Sequence, residues 1–349
     1  MSLMRFTIIA MLAAINALAG QKWDGPTKGP LAQPGKVVVF IASDSRNGGV
    51  TGVYRGFEEA ARKLGWKSVF EDGDGRREQQ DAMLRQAIES RPNGIIIGGF
   101  DASDFAEQIA AAKGSRITLV GWHAAKDPGP TDFLFVNVAT APETVARLAV
   151  KFVLDHSREQ KRQAGIIIFS DDRFAVANAK TRAMAAEIDK HKKSFGCKLL
   201  KIENVPITDA ANLMPKRVPE LIKEFGSSWT YSLAINDVYF DNINFPLTVA
   251  NKNDMVNVSA GDGSHLALSR IRFGLSQQAA TVAEPLRMQG FQLADELNRA
   301  FAGNDPSGYL SKPILVTTRL LQEAGQAGLE ADDAFVAAYT ALWAGKPVP

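Results

Sequence analysis

Short apolar runs alternate with amphipathic stretches along most of the chain. The apolar runs predict buried strands, and their ranges are Val37–Ala42, Ser68–Glu71, Gly94–Gly98, Ile117–Gly121, Phe133–Val136, Ala164–Ser170, Lys198–Glu203, Tyr231–Ile235, Val256–Ser259, Phe273–Ser276 and 313–318. The stretches between them predict helices near 50–65, 76–91, 102–113, 141–157, 175–190, 211–225, 237–251 and 281–302. Strands that alternate with helices in this way form βαβ units, so the sequence predicts an α/β protein with parallel sheets.

About ten strands are too many for one doubly wound domain, and we therefore expect two similar lobes. The boundary is predicted near residues 137–142, where Pro142 suits the first turn of a helix and Thr140 can cap it. Beyond residue 276 the pattern supplies one long helix and one more strand. This tail predicts that the chain crosses back between the lobes.

The first residues form an apolar stretch typical of an export signal. Residues 6–19 follow Arg5 and end in the small-residue pattern Ala17–Ala19, at which signal peptidases cut. The stretch is shorter than the roughly 20 residues that a membrane-spanning helix needs. We expect residues 1–19 to be a cleaved signal peptide and the mature protein to be free in the periplasm. The alternative is a cytoplasmic protein with an apolar N-terminus.

Composition and motifs exclude several classes of protein. The net charge is +2 and the basic residues do not cluster along one face, which argues against a nucleic-acid partner. Cys197 is the only cysteine, so no disulfide forms within the chain, and we expect a buried, unreactive thiol. The histidines, His123, His156, His191 and His265, lack metal-site spacing, and no G-x-S-x-G or nucleotide-binding glycine motif is present. The sequence thus predicts no metal, no cofactor and no enzyme activity.

Ligands of parallel α/β sheets bind at the carboxyl ends of the strands, so the residues just past each strand form the candidate site. In the first half these residues are Asp44, Asn47, Phe100, Asp101, Trp122 and His123. Carboxylates and amides suit ligand hydroxyls, and aromatic faces suit the apolar side of a small ring. Local roles are the alternatives: Asp44 can satisfy the amides of its own loop, and Asp101 can cap the next helix.

The second half repeats the arrangement, with candidates at Arg173, Phe174, Asn236, Asp262 and Gln278. Arg173 is the candidate cation, because a guanidinium holds two neighbouring hydroxyls or a carboxylate. Its alternative is a surface pair with Asp171 or Asp172. Asn236 can donate and accept hydrogen bonds at once, and Asp262 lies between glycines that let a ligand come close. With two facing lobes, both sets are expected to line a single cleft.

These strand ends carry a resemblance to a known family. The segments VVVFIASDSRNGGVTGVYRGFEEAARKLGW, RPNGIIIGGFD, AIND, SAGDG and SQQAATVAEPLRMQGFQLADEL resemble, in order and spacing, those of type I periplasmic binding proteins. The resemblance covers nearly the whole chain after the leader. It implies two Rossmann-like lobes, joined by a three-segment hinge, that close on a ligand. The implied lobes are 36–138 plus 279–310 and 139–278 plus 311–349.

The ribose-binding branch of that family supplies some positions. By resemblance, Arg173 matches a cleft arginine, and Asn236 and Asp262 match polar ligand contacts. Gln277 or Gln278 matches a hinge glutamine.

Other positions depart from the ribose binders. The first loop lacks their stacking aromatics, and Trp122 and His123 stand where they have an Asp-Arg pair. We expect the aromatic surface at Trp122, Phe100 and Phe174 instead. A polyol or sugar-like ligand therefore remains the expectation, without commitment to ribose.

The function that the resemblance implies is capture of a sugar-like molecule by a monomeric periplasmic receptor and its delivery to an ABC permease. A second hypothesis is a sensing subunit for a membrane histidine kinase or chemoreceptor, with a signal such as autoinducer-2. The sequence does not separate the two, because both need a closing trap. The effector domain of a cytoplasmic repressor would need a helix-turn-helix where the leader lies, and a periplasmic enzyme would need catalytic groups that are missing.

Overall fold

The computed structural model describes residues 23–274, 276–324 and 333–349, apart from the side chains of 193–195. The predicted signal peptide, residues 1–19, lies outside this part of the chain. Among the described residues no helix combines the length and apolar character that crossing a membrane requires. The strands form two sheets, and the predicted α/β class with two lobes of mainly parallel strands is confirmed.

The first lobe contains a five-stranded parallel sheet in the order β2-β1-β3-β4-β5. Its strands are β1 (Val37–Ala42), β2 (Lys67–Asp72), β3 (Gly94–Gly98), β4 (Thr118–Trp122) and β5 (Asn137–Val138). The helices between them are α1 (Gly48–Leu64), α2 (Arg77–Glu89) and α3 (Ala106–Gly114). Strand β3, of sequence GIIIG, is buried at every residue, as expected when helices cover both faces of a sheet. The fifth strand lies just beyond the predicted Phe133–Val136.

Helix α1 begins and ends at residues that the sequence specifies. The Asn47 side chain accepts a hydrogen bond from the N–H of Gly49 and so caps the first turn. Gly65 adopts the left-handed conformation (φ +71°) and ends the helix. Val53 and Phe57 are fully buried on its inner face. These contacts fix the start of α1 beside the carboxyl end of β1.

The second lobe contains a six-stranded sheet in the order β11-β10-β9-β8-β6-β7, in which β11 runs antiparallel to β10 and the other pairs are parallel. The strands are β6 (Gly165–Ser170), β7 (Lys198–Asn204), β8 (Tyr231–Ala234), β9 (Val256–Ser259), β10 (Gln278–Ala283) and β11 (Ile314–Thr317). The remaining helices are α4 (Pro142–Glu159), α5 (Ala175–Phe195), α6 (Ala210–Phe225), α7 (Val238–Val249), α8 (His265–Phe273), α9 (Leu286–Phe301), α10 (Thr318–Glu323) and α11 (Ala334–Trp343).

The predicted strand Phe273–Ser276 is wrong, because the apolar residues before it complete helix α8. Ser264 caps that helix through its hydroxyl oxygen, and Gly274 ends it in the left-handed conformation (φ +60°). The strand that pairs with β9 is β10. The helix predicted for 281–302 consequently begins later, with α9.

Two segments lie in the opposite lobe from the one implied by the resemblance. Strand β10 pairs with β9 and so belongs to the second lobe, although residues from 279 onward were expected in the first. Helix α9 then packs against α1, and β11 and α10 return to the second lobe. Helix α11 packs in the first-lobe core, where the Trp343 ring stacks on Phe291 at a centroid distance of 6.0 Å. Because α10 lies in the second lobe and α11 in the first, the chain passes between the lobes once more than the three times expected.

Candidate ligand-binding cleft

The carboxyl ends of the strands in both sheets face one another across a cleft with a cavity volume of about 70 Å³. The first lobe contributes the loop after β1 and the end of β4, and the second contributes the start of α5 and the loops after β8 and β9. The sequence-predicted residues that line the cleft are Asp44, Asn47, Trp122, His123, Phe174, Asn236 and Asp262. Residues of both lobes thus line a single cleft.

The loop after β1 neutralises its own carboxylate. Arg46 donates two hydrogen bonds to Asp44, from Nε and Nη2, each of 2.8 Å. Asp44 is buried, so this pairing satisfies a charge that would otherwise be costly to bury. Asn47 uses its Oδ1 to cap α1 through the Gly49 N–H at 2.9 Å, and its side-chain NH₂ takes no part in that cap.

The loop after β6 repeats this arrangement in the second lobe. Ser43–Arg46 and Ser170–Arg173 share the pattern Ser-Asp-x-Arg after the first strand of their sheets. Arg173 donates from Nε and Nη2 to the buried Asp171, at 2.8 and 2.6 Å, and this pairing raises the pKa of Arg173. Arg173 therefore forms the local pair that the sequence left open as its alternative, and it does not line the cleft. The Arg173 guanidinium lies 5.5 Å from the ring centre of Phe174, and Phe174 does line the cleft.

Ionisable side chains from both lobes meet beside the cleft. His123, directly after β4, lies within 3.0 Å of both carboxylate oxygens of Glu284, which follows β10. The Nζ atom of Lys180, from α5, is 3.6 Å from Glu284 and 3.9 Å from Asp262. Asn236 donates a hydrogen bond to Asp262 from its side-chain amide. All five side chains are at least nine-tenths buried. We call His123, Lys180, Asp262 and Glu284 the charge cluster.

The two carboxylates of the charge cluster differ in their acidity. Burial alone would raise the pKa of Glu284, but His123 and Lys180 outweigh burial and hold that pKa well below its usual range. Burial raises the pKa of Asp262 to about 6, although Lys180 and His123 pull it down. Glu284 is therefore the permanent anion of the cluster, and Asp262 is the carboxylate that takes up a proton in mild acid.

Two aromatic side chains line the cleft from opposite lobes. Trp122, the last residue of β4, is 2% exposed, and its ring lies almost parallel to that of His123 at a centroid distance of 4.3 Å. Its indole N–H donates a 2.8 Å hydrogen bond to Oε1 of Gln289, which fixes the orientation of the ring. Phe174 lies at the start of α5 in the second lobe. The cleft thus combines apolar faces with a polar set.

Phe100 and Asp101 lie away from the cleft for local reasons. Phe100 is 2% exposed and packs edge-on against Phe105 in the first-lobe core, with ring centroids 5.3 Å apart. Asp101 accepts hydrogen bonds from the N–H and the hydroxyl of Ser103, at 3.0 and 2.7 Å. It therefore caps the short helical turn that follows β3, which was its alternative in the sequence.

Gln278 also lies outside the cleft, in a buried hydrogen-bond network of the second lobe. Its amide donates to Asp237 at 2.7 Å and accepts from Nη2 of Arg270 at 2.8 Å. Asp237 in turn accepts from the N–H of Gly263 at 2.8 Å. Gln278 therefore supports the turn that carries Asp262.

Sequence reasoning missed Lys180 and Glu284. Lys180 is a single lysine on the alanine-rich inner face of α5, where a charge needs a buried partner, and that was its available signal. Glu284 directly follows the last residue of β10 and precedes Pro285, so it lies where candidate site residues were sought, just past the end of a strand. It was missed because residues 281–302, which include it, were predicted to form a helix.

The charge cluster contains a set of potential metal ligands. His123, Asp262 and Glu284 each offer one ligand atom, and these atoms lie within 4.8 Å of one another. However, the Lys180 ammonium already lies within 4 Å of both carboxylates. The chain itself therefore supplies the positive charge that a metal would bring.

Comparison with known proteins places the chain in a family. A family model described as "Periplasmic binding protein domain" matches residues 38–305. No curated protein sequence matches significantly.

Solved structures share the fold at low sequence identity. A sugar ABC transporter protein from Yersinia enterocolitica is 15% identical, with a TM-score of 0.73 over 92% of this chain and 99% of that one. GanP, a glucose-galactose binding protein from Geobacillus stearothermophilus, is 16% identical, with a TM-score of 0.69 over 82% and 99%. An ABC transporter solute-binding protein from Agrobacterium vitis with bound allitol is 14% identical, with a TM-score of 0.68 over 86% and 99%. Because the family model spans most of the chain, from β1 to beyond α9, this protein belongs to the periplasmic binding protein family.

Proposed function

We propose that this protein captures a neutral sugar or polyol between its lobes and delivers it to the permease of an ABC importer. The observation that carries the proposal is the charge balance of the polar cleft. Four carboxylates around the cleft each lie within 4 Å of a basic side chain of the same chain: Asp44 with Arg46, Asp171 with Arg173, Glu284 with His123, and Asp262 with Lys180. A charged ligand would leave one charge in this buried region without a partner, which costs several kcal/mol. Hydroxyl groups both donate and accept, and so suit either member of a pair.

The geometry of the charge cluster favours hydroxyls in particular. The Nζ atom of Lys180 lies 3.6 and 3.9 Å from the two carboxylates, beyond ordinary hydrogen-bond distance. A ligand hydroxyl near Lys180 can accept from the ammonium and donate to Asp262. Trp122 and Phe174 offer apolar faces for the carbon skeleton, which is how aromatic side chains contact sugar rings.

Transport is favoured over sensing by the structural relatives. GanP is a glucose-galactose binding protein, and the Agrobacterium protein with allitol is an ABC transporter solute-binding protein. The chain is a binding protein and not an enzyme, in a family that works in the periplasm. In our proposal it acts there as a monomer, after removal of residues 1–19.

Isothermal titration calorimetry with matched neutral and charged ligands tests the proposal. The neutral panel is D-glucose, D-galactose, D-allose and allitol, and the charged panel is D-gluconate, D-glucuronate and D-glucosamine. We expect at least one neutral member to bind, more tightly than its charged analogues. Asn236→Ala should weaken that binding about tenfold, because it removes a hydrogen-bonding group from the cleft. Asn212→Ala, at an exposed position on α6, is the control and should bind as wild type. Failure of every neutral member, or preference for a charged one, would contradict the proposal.

A further inference from the structure

One buried glutamine joins the aromatic wall of the cleft to the charge cluster. Gln289 lies in the first turns of α9, is fully buried and does not line the cleft. Its Oε1 accepts the indole N–H of Trp122 at 2.8 Å. Its Nε2 donates to Oε2 of Glu284 at 2.8 Å and to the hydroxyl oxygen of Ser311 at 3.0 Å.

These partners leave the amide of Gln289 one orientation. An indole N–H only donates and a carboxylate only accepts, so Oε1 must face Trp122 and Nε2 must face Glu284. No other residue type of similar size supplies an acceptor and a donor at these two places. Glutamate would set two carboxylates against each other, and methionine would leave the indole N–H unpaired.

The three partners also come from separate parts of the fold. Trp122 ends β4 of the first lobe, whereas Glu284 and Ser311 lie in two of the segments along which the chain passes between the lobes. A shift of Gln289 would therefore move the Trp122 ring relative to the Glu284 carboxylate. Because His123 and Lys180 lie against that carboxylate, their positions would change as well.

We propose that Gln289 is a positioning residue for ligand binding, which fixes the Trp122 ring and the Glu284 carboxylate relative to each other without touching the ligand. This inference rests on the proposed function, because its effect is measured as ligand affinity.

The test compares Gln289→Met with Gln292→Met, using the panel sugar or polyol that wild type binds most tightly. Gln292 is a matched control, because it lies on the same helix, is 3% exposed and donates to the carbonyl oxygen of Tyr309 instead. We expect Gln289→Met to weaken binding about tenfold. Gln292→Met should bind as wild type. Equal affinity in Gln289→Met and wild type would overturn the inference, as would equal losses in the two variants.

A charge-swap pair tests the same contact without relying on the methionine variant. Gln289→Glu should bind much more weakly than wild type, because it faces Glu284. The double variant Gln289→Glu/Glu284→Gln restores a donor opposite an acceptor and still accepts the Trp122 N–H, so it should bind about tenfold more tightly than the summed losses of Gln289→Glu and Glu284→Gln predict. Additive losses in a folded double variant would refute the inference.

A readout that needs no ligand is hydrogen exchange at the Trp122 indole N–H, followed by NMR. The exchange should be faster in Gln289→Met than in wild type and Gln292→Met, and equal rates would also refute the inference. If wild type binds no panel member, the proposed function fails, and hydrogen exchange still tests the contact between Gln289 and Trp122. If wild type binds and Gln289→Met binds equally well, the positioning role alone fails.

Discussion

The substitution Gly49→Ala should weaken ligand binding without unfolding the protein. Gly49 is the second residue of α1 in the first lobe, and it faces Asp262 of the second lobe. A Cβ atom at this position would lie 2.4 Å from Oδ2 of Asp262 and 2.9 Å from both its Cβ and Cγ. Three atoms of one side chain would thus be met well inside the ordinary contact distance of 3.5–4.0 Å.

The size of the effect follows from how firmly Asp262 is held. Its carboxylate accepts a hydrogen bond from Asn236, lies beside Lys180 and is 4% exposed, so it has little room to turn away. Relief of the overlap requires the lobes to part by about 1 Å at this point. Overpacking of this kind costs about 1–3 kcal/mol, which corresponds to a loss of about 5- to 150-fold in affinity. The helix itself accepts alanine, because alanine in a helix is more stable than glycine by about 0.5–1 kcal/mol.

Calorimetry with the tightest-binding panel member measures this loss, and urea unfolding checks that the variant is folded. Gly114→Ala is the matched control, since Gly114 is the last residue of α3 and an added Cβ there meets no atom within 4 Å. It should bind as wild type. Wild-type affinity in Gly49→Ala would refute the reasoning, because the lobes would then not approach each other this closely around the ligand.

Three further predictions concern the buried charges. Glu284→Gln leaves His123 without its carboxylate and should lower the free energy of unfolding by about 3–5 kcal/mol at neutral pH. The folded-state pKa of Glu284 is held below its usual 4.5, so its contribution to the free energy of unfolding is present above pH 4.5 and is lost on acidification. Urea titrations at pH 3 should therefore show a smaller difference in stability between the variant and wild type. Asp262 has a pKa raised from 3.8 to about 6, so its contribution is present below about pH 4 and is lost as pH rises through 6. Asp262→Asn should therefore gain about 3 kcal/mol relative to wild type over that interval, and parallel pH curves would contradict this. Arg173→Met should lower the free energy of unfolding by about 1–3 kcal/mol, because it leaves the buried Asp171 without its guanidinium partner. Ligand affinity should change less than about threefold, and a larger loss would mean that Arg173 reaches the ligand.

The strands that the sequence predicts most accurately are those buried on both faces. Strand β3 is a run of isoleucines between glycines, and its predicted and observed limits agree. Strand β10 was missed because QAATVA is rich in small residues and carries little apolar signal, whereas the apolar residues of α8 just before it suggested a strand. Residues 334–343, which form helix α11, were assigned to the second lobe because their true lobe depends on the fit of an apolar face to α9, which periodicity does not encode.

The candidate site shows the same division between local and tertiary information. Asn236 and Asp262 could be placed at the cleft because they follow the carboxyl ends of neighbouring parallel strands, which open on the same edge of the sheet. Arg173 and Gln278 were placed at the cleft in the prediction, but hydrogen bonds to Asp171 and Asp237 hold them elsewhere. Lys180 needed the three-dimensional structure, since its partners lie 82 and 104 residues away along the chain.

Closure of the two lobes around a neutral ligand is the central claim, and the distance across the cleft mouth tests it most directly. Ser45→Cys and Asp172→Cys place labels at exposed positions after the first strand of each sheet, and the single native cysteine, Cys197, is buried and should not react. Pulsed electron spin resonance on the doubly spin-labelled protein then reports the separation of the lobes. We predict a shorter and narrower distance distribution when the tightest-binding panel member saturates the protein. An unchanged distribution at saturation would contradict the account.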